Sequence, residues 1–127
     1  MFRSPNVNTD LSKPGEHGLQ RHLDRAEVLS STVAQLRKDL AQDDASFPEP
    51  PVGEEAFERL RAQVLPILSE RLSLGMHDLQ VAMYRVDIPE AHLKRTLAAG
   101  GLDALAGECV LRALQKVLTR LRFAGRY

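Results

Sequence analysis

The side chains in this 127-residue chain that could do chemistry are four histidines, one cysteine and a row of basic groups near the C-terminus. A metal site needs His, Cys, Asp or Glu spaced so that several donors converge on one ion. His17 and His22 are five residues apart and Glu90 and His92 two apart, spacings that place neither pair on one helical face. His77 and Asp78 are adjacent and have no further donors at ligand spacing. Cys109 lies between Leu105 and Ala113, which share a helical face, so it reads as a small buried hydrophobe. A cysteine nucleophile would need a base and an orienting group, and no Cys/His/Asn pattern supplies them. Gly100 and Gly101 sit at a helix end without the Lys and Ser/Thr of a phosphate-binding loop. The sequence therefore predicts no catalytic set, no cofactor and no metal.

Two other constellations bear on binding. Arg112, Lys116 and Arg120 recur at i, i+4 and i+8, and Arg122 and Arg126 follow with Phe123 and Tyr127 interleaved. On a helix the first three form one cationic stripe. Such a stripe complements the dipole of its own helix, or docks an acidic partner or a nucleic-acid backbone. The second constellation is "VAMYRVDIPEAHLKRTLAAGG", Val81 to Gly101. On a helix-turn-helix template Met83 takes the small-residue position, Asp87 the turn position, and Ile88, Leu93 and Leu97 the buried positions. The turn that should face DNA offers Pro89, Glu90 and Ala91, and a glutamate there repels phosphate. Only His92, Lys94 and Arg95 are of the right kind. A structural corner accounts for the same residues, with Asp87 as N-cap, Glu90 closing a D-x-x-E capping box and Pro89 in the first turn.

The elements that must position these groups read as helices throughout. Leu19, Ala26, Val33 and Leu40 repeat every seven residues, with Leu29 and Leu36 at d positions and His22 the polar break at the first d. Residues 19–43 are thus predicted to form a heptad helix about 38 Å long, its narrow stripe suited to one partner helix. Unperturbed, His22 would titrate near pH 6.5 and make such pairing pH-sensitive. Residues 1–18 lack either period and read as a disordered tail. Residues 44–53 contain Pro48, Pro50 and Pro51 and read as a stiff linker. Residues 54–127 carry four apolar periodic segments, a helical bundle. Within it Pro66 predicts a kink or restart, Gly75 a left-handed cap, and Leu102 to Phe123 the central helix.

Bulk properties narrow the function further. The formal net charge is zero, which argues against a nonspecific polyanion binder, although residues 102–127 hold five basic groups against two acidic ones. One cysteine permits no intrachain disulfide. There is no apolar run long enough to span a membrane and no secretory leader pattern, so a cytoplasmic location is expected. The expected fold is all-α: a small bundle of about four short helices preceded by the heptad helix and a disordered N-terminal tail. The expected function is a non-catalytic interaction or assembly module, binding a protein partner or itself as a homo-oligomer through Leu19, His22, Ala26, Leu29, Val33, Leu36 and Leu40. The alternative is a DNA-binding regulator using the pair at 76–99 with the basic last helix.

Overall fold

The computed structural model describes residues 18–125, and the expectation for the N-terminal tail falls almost wholly outside them. A short 3-10 turn at Arg21–Asp24 is followed by four α-helices: α1 Ala26–Leu40, α2 Ala56–Leu74, α3 Met76–Arg85 and α4 Glu90–Phe123. The described residues contain no strand, so the class is all-α. One aliphatic core joins all four helices. Its axis is the C-terminal part of α4, where Leu105, Ala106, Cys109, Val110, Ala113, Leu114 and Val117 are buried. Helix α4 contacts each of the other three.

Helix α4 is two helical segments joined at Gly101, whose φ of 68° and ψ of −160° interrupt the helix where the double glycine predicts an end. Side chains with a Cβ are strained in that region, so glycine is needed there. Helix α2 runs unbroken through Pro66, where a kink or restart was expected, and the proline lies on its exposed face. Gly75 separates α2 from α3 at φ 131° and ψ 155°. It too departs from expectation, being a mirror-extended joint where a left-handed cap was predicted.

The corner between α3 and α4 corrects the capping box. Asp87 makes no side-chain cap and stands in the left-handed region at φ 71°, while Pro89 precedes the first helical residue, Glu90. The backbone amide of Ile88 donates to the Met83 carbonyl at 2.9 Å and that of Asp87 to the Tyr84 carbonyl at 3.1 Å. This is a Schellman closure of α3, with Ile88 buried beneath it. An Asp tolerates this conformation better than most residues, which lets it stand where glycine is usual.

The heptad segment also differs from a continuous helix. It breaks at Arg25, which is extended at φ −98° and ψ 125°. A straight helix would carry His22 into the seam, whereas the break turns Leu23 into the core and leaves His22 half-buried and Ala26 exposed. Beyond the break the buried face comprises Val28, Leu29, Thr32, Val33, Gln35, Leu36, Asp39 and Leu40. That face is much wider than an a/d stripe and suits a surrounding core. Thr32 is tolerated there because its hydroxyl donates to the Val28 carbonyl at 2.7 Å.

The connection from α1 to α2 is fastened to the bundle. Ser46 donates its amide to Asp43 Oδ1 at 2.8 Å, and the turn delivers Phe47 into the core. Arg37 Nε then donates to the Phe47 carbonyl at 2.8 Å. The prolines of residues 44–53 follow this anchor, so α1 packs against the helices it was expected to stand apart from.

Candidate interaction surface

The basic stripe is largely engaged within the chain. Lys116 Nζ donates to Asp39 Oδ2 at 2.9 Å, lies 3.4 Å from Asp87 Oδ2 and reaches the Arg85 carbonyl at 3.4 Å. Asp39 is only 7% exposed, and its other oxygen accepts from Gln35 Nε2 at 3.0 Å. Arg120 donates to Gln35 Oε1 at 2.9 Å, and Arg112 Nε stands 3.4 Å from Glu108. Lys116, Asp39, Gln35 and Arg120 thus form one polar network holding α1 against α4. Arg122 is exposed, and Arg126 lies outside the described residues. An open groove of about 370 Å³ runs along Arg112, Lys116 and Arg120, with Asp87 on its wall.

The predicted seam is likewise occupied. Leu29, Val33, Leu36 and Leu40 are buried in the chain's own core, and Leu19 packs partly against it. His22 has its pKa pushed below the ordinary histidine value, first by partial burial and then by the cations of Arg21 and Arg25. None of the four core leucines and valines can meet another chain while α1 keeps this place.

At the corner, Lys94 is paired with Glu90 at 3.0 Å and His92 with Glu108 at 3.4 Å, while Arg95 is exposed. Cys109 is fully buried, 3.6 Å from Met83 Sδ, and loss of solvation pushes its thiol up to about 12. A thiol so placed is a packing group. Among the described residues there is no cluster of three or more His, Cys, Asp or Glu side chains able to hold a metal.

The apolar side chains left in solvent are unevenly distributed. Of six large ones exposed among the described residues, four fall between Leu74 and Tyr84: Leu74, Met76, Val81 and Tyr84. Tyr84 is 80% exposed and Leu74 65%. Val81 and Tyr84 follow His77 and Gln80 along the outer face of α3, because Leu79, Ala82 and Met83 take the inner one. Beside them a groove of about 240 Å³ is lined by Gln80, Val81, Tyr84, Ile88, Pro89 and Glu90. In the sequence Val81 and Tyr84 belong to the corner segment alone. The available signal was that both fall opposite the apolar face of Leu79, Ala82, Met83 and Val86.

No protein-family model, curated protein or solved structure matches this chain. Among the described residues, no helix is long and apolar enough to cross a membrane.

Proposed function

We propose that this protein is a non-catalytic helical interaction module of the cytoplasm, and that its contact surface is the outer face of α3 with the adjoining corner. The heptad seam, first expected to be that surface, serves the fold instead. The observation that carries the reading is that Leu74, Met76, Val81 and Tyr84, four of the six large apolar side chains exposed among the described residues, fall within eleven residues, with Val81 and Tyr84 on one face of α3. Large apolar side chains held in solvent side by side, as Val81 and Tyr84 are beside an apolar groove, are characteristic of surfaces that bind other proteins. Tyrosine suits such a place, since it offers a large apolar ring and a polar tip.

The test compares the full chain with a Val81→Asp, Tyr84→Glu variant. Both positions are exposed, so helicity by circular dichroism should be unchanged. Light scattering and retention of partners on the tagged chain should both report loss of whatever the wild type binds. Equal assembly and equal retention in the two proteins would sink the reading.

One observation favours DNA as a second reading. Asp87 in the left-handed conformation, with Ile88 and Leu93 buried behind it, has the backbone a helix-turn-helix corner requires. On that reading duplex binding is seen at low salt, weakens steeply as salt rises, and drops on Lys94→Ala or Arg95→Ala.

A further inference from the structure

We propose that the partner on this face is a second copy of the chain, with the two α3 helices lying antiparallel about a two-fold axis beside Val81. The inference rests on the interaction-module reading and adds the partner's identity. It is carried by the order of charges along α3. Asp78 and Arg85 are seven residues apart, so they lie on nearly one line of the helix, flanking Val81 and Tyr84. Among the described residues neither has an ion-pair partner. Both border a notch beside Val81 that Asp39, already paired with Lys116, and Arg71 also line.

A two-fold axis perpendicular to α3 reverses the order of residues and keeps each flank facing its own equivalent. Asp78 lies three residues before Val81, about 4.5 Å along the axis, and Arg85 four residues beyond it, about 6 Å. Antiparallel packing therefore brings Asp78 of each copy level with Arg85 of the other, forming two symmetric ion pairs. Parallel packing would instead set Asp78 on Asp78 and Arg85 on Arg85.

The same operation covers the apolar strip with itself. Val81 meets its equivalent at the axis, and Tyr84 lies level with His77 of the second copy. Leu74 precedes the joint at Gly75, next to the end of α3 that this packing sets beside the Ile88 and Pro89 end of the second copy. The most exposed apolar residue of one copy's α2–α3 corner thus stands at the end of the interface where the apolar groove of the other lies.

The experiment is sedimentation equilibrium of the full chain over a concentration series, with Asp78→Arg, Arg85→Asp and the double exchange. Wild type should pass from monomer to dimer mass. Each single reversal sets two pairs of like charges together and should raise the dimer Kd about tenfold or more. The double exchange should restore association, and Tyr84→Glu should abolish it. A dimer indifferent to the charge reversals overturns the antiparallel arrangement. A chain that stays monomeric, yet loses another captured protein on Tyr84→Glu, overturns the second copy as partner and leaves the interaction-module reading standing. A monomer that captures nothing sensitive to Tyr84 overturns both.

Discussion

At the scale of single residues, Asp39 and Lys116 decide how the first helix is held. Asp39 sits on the buried face of α1, and its charge is met by a lysine 77 residues further along the chain. A carboxylate in that position loses most of its hydration, which is costly unless an opposite charge and a hydrogen bond replace it. Lys116→Met removes the charge and should destabilise the fold by about 3 kcal/mol in urea unfolding. Pairing it with Asp39→Leu should cost clearly less than the sum of the two single changes, because no lone carboxylate then remains. Additive losses would show that the pair does not hold the helix. The network was illegible in the sequence because Gln35 and Asp39 are polar residues on a helix. Only their distant partners reveal that their face is buried. The core place of Cys109 is legible in the sequence, because its neighbours at four-residue spacing, Leu105 and Ala113, are apolar. Its thiol, pushed up from 9.0 to about 12, stays neutral in the fold after the unfolded chain would ionise. Stability from this group is complete below pH 9 and declines as pH rises towards about 12. The native thiol should accordingly resist iodoacetamide at pH 8 and react once the chain is denatured.

At the scale of elements, apolar periodicity located the helices: the heptad segment contains α1, and the four segments of residues 54–127 correspond to α2, α3 and the two parts of α4 on either side of Gly101. What it missed were their ends and joints. Heptad counting treated residues 19–43 as one rod, yet turning at Arg25 buries Leu23 in preference to His22. The D-x-x-E pattern at Asp87 matched a helix start, while the backbone used the same residue to finish the helix before it. The glycines of α4 show how local geometry separates similar residues. Gly101 has φ 68° and ψ −160°, so Gly101→Ala forces a Cβ into a strained conformation and should cost about 1–3 kcal/mol. Gly107 is helical, and an added Cβ would lie 3.6 Å from Arg61 and 3.8 Å from Phe57, ordinary contact distances. Gly107→Ala should therefore raise stability by up to about 1 kcal/mol through helix propensity. Thermal unfolding of the two variants should move in opposite directions. Movement in the same direction would show that Gly101 is not the joint.

At the scale of the whole molecule, the question is whether the first helix is an arm or part of the body. Its heptad spacing and the three prolines after it suggested an arm that could be removed without harm to the bundle. The structure assigns it to the body by three independent attachments. Leu23, Val28, Leu29, Val33, Leu36 and Leu40 enter the common core, Phe47 pins the connection, and the Asp39 network clamps α1 to α4. Each fully buried aliphatic side chain contributes about 1.5–3 kcal/mol of apolar burial. The total stability of a domain of this size is about 5–15 kcal/mol. Six such side chains are therefore comparable with the whole margin, even after the cost of ordering the helix is returned. A chain beginning at Glu54 should then lose its cooperative urea transition and expose apolar surface to a dye such as ANS. The full chain should unfold in one transition with α1 included. If residues 54–127 alone kept a sharp transition near the full-length midpoint, α1 would be an appendage after all, and its seam would again be a candidate contact surface. Loss of the transition would leave the outer face of α3, exposed while the core is intact, as the surface on which partners are to be sought.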